Sequence, residues 1–204
     1  MMRRIAVVVG LCALLLPIAA WGDGINLANQ YGSITVTNSG IVSAGSELVS
    51  FGGINAPAGH SLGSVSFSTG AFSGASILSG GTFSSVGSSF VIAGVGHHGQ
   101  PKGVIFSGAF VGPISWTMVS HTGRFDYVFA LSGEIEGTTW TGHVVTGMTT
   151  QTITLYSNQW NQDHKGAIHL GATHLNTPEP GTLGLLGTGL IAIAAALRRK
   201  LLTS

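Results

Sequence analysis

Between Gly32 and Tyr156 apolar residues recur at every second position in short runs, and Gly, Asn and Pro separate the runs; this is the pattern of strands and turns. Ser33-Ile34-Thr35-Val36-Thr37 alternates up to an Asn38-Ser39-Gly40 turn and resumes at Ile41-Val42. Glu47 to Phe51 predicts the next strand, closed by Gly52-Gly53 and a loop through Asn55-Ala56-Pro57-Ala58-Gly59. Ser64 to Ser68 alternates again. From Ser61 to Gly94 the chain is a Ser/Gly tract carrying Phe67, Phe72, Phe83 and Phe90, enough apolar surface to order it as thin strands, and Phe83 to Ile92 predicts a hairpin turning near Gly87.

The second half is patterned more strongly. Gly103–Ser107, Ile114–Val119, Arg124–Ile135, Thr138–Val145 and Thr149–Tyr156 are consecutive strand candidates, with turns expected at Gly112-Pro113, His121-Thr122-Gly123, Gly137 and Gly147. Phe125, Tyr127, Phe129 and Leu131 share one face and form the best core candidate. No amphipathic helix is predicted between Asp23 and Thr177. Short strands at this spacing predict an all-β domain, an antiparallel β-sandwich or jelly-roll-like fold, with a β-solenoid as the alternative.

The two ends are different. Arg3-Arg4 followed by the apolar stretch Ile5–Ala20 and the small residues of Ala20-Trp21-Gly22 predict a secretory signal peptide over residues 1–22, cleaved at Gly22/Asp23 or, alternatively, at Ala20/Trp21. The strongly apolar stretch favours the general secretory route over a twin-arginine one. Leu11 before Cys12 argues against a lipoprotein. Cys12 is the only cysteine, so the exported part has no disulfide framework and must rest on its core and its backbone ladder. At the other end, Thr177-Pro178-Glu179-Pro180 precedes an uncharged apolar run, Gly181–Leu197, and then Arg198-Arg199-Lys200. As a helix that run spans roughly 25 Å, just enough for a thin bilayer core. The basic cluster acts as a stop-transfer signal and keeps its own side cytoplasmic, with the preceding domain outside. Pro178 and Pro180 hold Glu179 in an extended segment.

This tail resembles the PEP-CTERM sorting signal of exopolysaccharide-producing Gram-negative bacteria, on Pro178-Glu179-Pro180-Gly181-Thr182-Leu183, the short span and the basic end; Leu201-Leu202-Thr203-Ser204 is an extra extension. The resemblance implies that an exosortase in the inner membrane reads Pro178, Glu179 and Pro180, removes the tail and passes the protein toward the cell surface. Phrases such as Gly81-Thr82-Phe83-Ser84 and Gly112-Pro113-Ile114-Ser115-Trp116-Thr117 are loosely similar to the Gly/Ser-rich domains that accompany such tails. Those domains are mostly of unknown function, so no functional residue carries over.

Residues 23–176 form the predicted ectodomain and 177–204 the sorting tail, with a transmembrane helix over 181–197. From Asp23 to Thr177 the net charge is −3 with His neutral, which leaves no electrostatic footprint for nucleic acid. Eight histidines invite a metal reading. However, His164, His169 and His174 step by five, which on a regular strand alternates faces, and His97-His98 sits in a Gly-rich loop; no metal site and no cofactor is expected. Glu134 and Glu136 lie two apart on one strand face and could in principle present paired carboxylates to a glycosidic bond or a calcium ion, or simply face solvent. No Ser occupies a Gly-x-Ser-x-Gly elbow. Trp116, Trp140 and Trp160 would make a sugar-stacking platform if exposed in a row, or else fill the core.

The chain therefore reads as an exported, non-enzymatic surface or extracellular-matrix protein. It passes the translocon and signal peptidase, sits in the inner membrane as a single-pass precursor, meets an exosortase and reaches the cell surface or matrix, with exopolysaccharide an open partner. A carbohydrate-binding or adhesive module is the alternative, and a secreted hydrolase the more distant one.

Overall fold

The computed structural model describes residues 24–97, 99–122, 126–156 and 164–176. The expected signal peptide and transmembrane helix lie outside them. Among the described residues no helix is long and apolar enough to cross a membrane.

Among the described residues eleven strands run in order: β1 Ile25–Thr37, β2 Gly40–Phe51, β3 Ile54–Asn55, β4 Gly63–Ser68, β5 Phe72–Ser76, β6 Gly80–Phe83, β7 Ser89–Val95, β8 Lys102–Thr122, β9 Asp126–Thr139, β10 Val144–Tyr156 and β11 His164–Asn176. Following the pairings β1-β2-β4-β7-β8-β9-β10-β11 and back to β1 closes a ring of eight antiparallel strands. The expected sandwich or jelly roll, and the alternative solenoid, are therefore corrected to a closed up-and-down barrel. Closure is made by β1 on β11, from Ile25 opposite Leu175 to Val36 opposite His164. A sandwich would leave those two edges unpaired. Alternating inward and outward side chains serve both architectures equally, so the pattern along each strand could not separate them.

The remaining strands extend this ring. β5 pairs with β6 as a continuation of the β4–β7 pairing: Phe67 stands opposite Phe90 and Phe72 opposite Phe83. The gap is spanned by Gly70 N–H donating to the Ser84 carbonyl at 2.7 Å and Ser84 N–H donating to the Ala71 carbonyl at 2.9 Å. Gly87 therefore does not turn a hairpin between Phe83 and Ile92; β6 and β7 run along the same neighbour, β8. Likewise Gly112-Pro113 is an irregularity inside β8 rather than a turn, while the β9–β10 turn falls at Trp140–His143, within what the pattern reads as the strand Thr138–Val145.

Inside the ring lies one apolar core containing Ile34, Val36, Leu48, Ile92, Leu131 and Ile153 together with Phe67, Phe90, Phe106 and Phe110. Phe110 meets Phe67 and Phe90 edge-on, with ring centres 6.1 and 5.7 Å apart. Gly133 and Gly137, the second expected to turn, are strand residues over which the Phe110 and Phe106 rings lie; a Cβ at either would stand 2.8 Å from a ring carbon. Small residues facing large ones fill a narrow barrel without strain. The outer wall is rich in hydroxyls: Thr146, Thr150, Thr152 and Thr154 alternate along β10 with the inward residues, and Ser132 on β9 bonds Thr150 at 2.9 Å.

A short 3-10 turn, Ile77–Ser79, forms the tip of the β5–β6 hairpin and is capped by Ser76, whose Oγ accepts the Leu78 N–H. Ile77 is buried, and its carbonyl accepts the indole N–H of Trp116 at 2.8 Å. The Trp116 ring stacks on Phe129, centres 4.3 Å apart. Trp116→Phe is expected to cost about 2–3 kcal/mol in urea unfolding, because it strands the Ile77 carbonyl and leaves a cavity. A cost below about 0.5 kcal/mol would mean that the tip is not held through Trp116.

Candidate functional site

The three tryptophans do not form an exposed row of three. Trp116 is 1% exposed, in the core; Trp140 is 45% exposed, at the β9–β10 turn, its ring 6.0 Å from Phe51. Trp160 lies outside the described residues, as do Gly22, Asp23, Pro178, Glu179, Pro180, Arg198, Arg199 and Lys200. Glu134 and Glu136 both face outward on β9, opposite Met148 and Thr146 of β10.

His169 and His174 are both exposed despite their five-residue step. The β10–β11 register slips between Leu170 and Ile168, so His169 occupies a bulge that cancels the expected change of face. His174 Nδ1 is 2.7 Å from Asn26 Oδ1, and the His121 ring stacks on Tyr127 with centres 4.0 Å apart. Among the described residues no group of three or more His, Cys, Asp or Glu could hold a metal ion.

The polar chemistry that the structure does gather is centred on β1. Asn29, Ser46, Thr149, Gln151 and Thr173 are all buried inside the barrel. Asn29 and Gln151 stand on either side of Gly171 in register, on β1 and β10 with β11 between them. Their amides bond reciprocally over that glycine: Asn29 Nδ2 donates to Gln151 Oε1 at 2.9 Å, and Gln151 Nε2 to Asn29 Oδ1 at 3.3 Å. Gln151 Nε2 also donates to Thr149 Oγ1 at 2.9 Å, which meets Thr173 Oγ1 at 2.9 Å. Asn29 Nδ2 reaches Ser46 Oγ at 2.7 Å, and the Ser46 hydroxyl donates to the Gln30 carbonyl at 3.1 Å. A buried network whose members are all paired fixes one register, since a slip would leave several of them unpaired in a dry interior.

That last bond fastens the network to the outer wall. Immediately beyond Gln30 the strand bulges: Tyr31 has φ 63°, the only non-glycine residue with positive φ among those described, and Gly32 follows with φ 81°. A Cβ on Gly32 would press on the backbone of Ser46 and Gly45, so the position requires glycine. A non-glycine residue in the left-handed region costs about 1–2 kcal/mol and persists where its surroundings hold it. Here the Tyr31 ring is turned outward and is 58% exposed.

Tyr31 forms one side of a cleft of about 360 Å3 lined also by Gln30, Glu47, Val49, Ala56, Pro57 and His60. Gln30 and Glu47 are direct cross-strand partners on β1 and β2. The facing loop is tied down at both ends: Ala56 N–H donates to the Val49 carbonyl at 2.8 Å and Leu62 N–H to the Leu48 carbonyl at 2.7 Å, while His60 N–H closes a turn on the Pro57 carbonyl at 3.0 Å. Two adjacent β2 residues thus anchor an excursion of the chain that carries His60 to the cleft. The pattern along the sequence missed this site because it reads strand only from Ser33 onward. The available signal was local: alternation through Ile25–Gln30 is interrupted at Tyr31-Gly32 and restarts at Ser33 with its phase changed.

No curated protein and no solved structure matches the chain. Residues 176–200 match the family model described as the PEP-CTERM protein-sorting motif. The matched segment begins at the last residue of β11, Asn176. Such a motif implies export and processing by an exosortase, a membrane enzyme. The chain carries a PEP-CTERM protein-sorting motif at residues 176–200, starting at the last residue of the strand that closes its barrel.

Proposed function

We propose that this protein is a non-enzymatic barrel exported by the secretory route and delivered to the cell surface or extracellular matrix when an exosortase removes its tail. The observation that carries this reading is the sorting motif starting where β11 ends, so that processing within it would separate the tail from the folded barrel. The use of polar groups inside the barrel supports a presenting rather than a catalytic role. The buried amides and hydroxyls of Asn29, Gln151, Ser46, Thr149 and Thr173 bond to one another and to the strand backbone, and the interior they share is packed with aliphatic and aromatic side chains.

Intact-mass measurement of the protein recovered from the surface and medium of its native host tests the proposal. The expected product begins at Asp23 or Trp21 and ends within the Thr177–Gly181 region, with or without an added group. A product retaining residues 181–204 at the cell surface would overturn it.

A further inference from the structure

We propose that the cleft of Tyr31, Gln30, Glu47 and His60 binds a neutral, hydroxyl-rich saccharide. Its volume of about 360 Å3 lies in the lower part of the range for small-ligand sites, roughly 300–1,000 Å3. Its chemistry divides as a sugar ring does. The exposed Tyr31 ring offers a flat apolar surface to a pyranose face, and Ala56 and Pro57 extend the apolar wall. Around it stand a carboxylate that accepts from adjacent hydroxyls, an amide that both donates and accepts, and an imidazole.

Other ligand classes fit less well. Glu47 in the cleft and a net charge of −3 over residues 23–177 disfavour polyanions. A peptide adding as a strand needs an open sheet edge, and β1 here is paired on both sides, with β2 and β11. The conformation of Tyr31 is the independent support. Tyr31 held at positive φ carries a steric cost that glycine would not, and Ser46 braces the adjoining Gln30 carbonyl from within. The site does not depend on processing of the tail.

The test uses the full-length chain in an amine-oxide detergent, which has no sugar headgroup, titrated with neutral hexasaccharides of glucose, mannose, galactose and N-acetylglucosamine and with hexagalacturonate. There are three tyrosines, so ring-labelled NMR resolves each, and the Tyr31 signal is the one lost in Tyr31→Gly. The Tyr31 signal alone should shift with at least one neutral oligomer. Affinity should fall about tenfold or more in Tyr31→Gly and several-fold in Glu47→Gln, with Ser132→Ala on the far wall unchanged. Tyr31→Gly should keep or raise the thermal midpoint, so its loss of binding cannot come from unfolding. The proposal is overturned by the absence of any neutral binding up to roughly 10 mM, by equal binding in Tyr31→Gly, or by hexagalacturonate binding as tightly. Cleavage of a bound oligomer would support the site while refuting the non-enzymatic reading above.

Discussion

Glu179→Ala is expected to accumulate a full-length, membrane-bound precursor in the native host, with the processed form lost from the surface and the medium. The substitution alters neither the 17 uncharged residues from Gly181 to Leu197 nor Arg198-Arg199-Lys200, so insertion and orientation should persist while recognition fails. Replacing Arg198, Arg199 and Lys200 with Ser makes the opposite lesion. The motif stays intact but the stop-transfer charge is gone, and unprocessed protein should pass the membrane. The two variants therefore separate reading of the motif from anchoring of the span. Immunoblots of membrane and medium fractions decide it: identical bands for wild type and Glu179→Ala would leave the tail as a plain anchor and remove the basis for exosortase processing.

Gly171→Ala should destabilise the barrel by about 4 kcal/mol in urea unfolding. The added Cβ would land on Gln151 Oε1 and Asn29 Oδ1, so the two amides must part. Each buried polar group left unpaired costs about 1–3 kcal/mol, and local overpacking adds about as much again. Asn29→Ala removes one of the two obstacles, so the double variant should be less unstable than the sum of the single ones, by about 1 kcal/mol or more. Strict additivity, or a Gly171→Ala cost under about 1 kcal/mol, would show that the Asn29–Gln151 pair does not lock the register.

Strand content was largely legible in the sequence, because period-two alternation survives folding: Ser64–Ser68 is β4 as expected, and Phe129 and Leu131 are fully buried. The Ser/Gly tract is indeed strand, with Phe67, Phe83 and Phe90 in the core. Glycine misled in two ways. At Gly137 and Gly147 it stands where the backbone of the neighbouring strand, and then Phe106 or Leu175, leaves no room for a Cβ, which in sequence looks the same as a turn. At Gly112 it permits an irregularity within a continuing strand. Closure into a barrel was not legible at all, since it is decided by one pairing, β1 with β11, between segments at opposite ends of the domain. The Tyr31 cleft was hidden for a related reason: it joins a bulge in β1 to a loop that follows β3, and no spacing along the chain links Tyr31 to His60. The tail was legible because its recognition is linear.

The amide pair over Gly171 also has a mechanical meaning. Only Thr177 separates the end of β11 from Pro178, so tension on the tail before its removal, or on a group transferred to that end, would enter the barrel along β11. A saccharide held at Tyr31, as proposed above, would pull on β1 at a residue paired with Ile168, well inside β11. The force then runs through the seam between Ile25–Leu175 and Tyr31–Ile168 and loads its cross-strand bonds in shear, together, instead of peeling them one by one. Asn29 and Gln151 reach over the loaded strand from both sides at Gly171, like a bolt across a sliding bar.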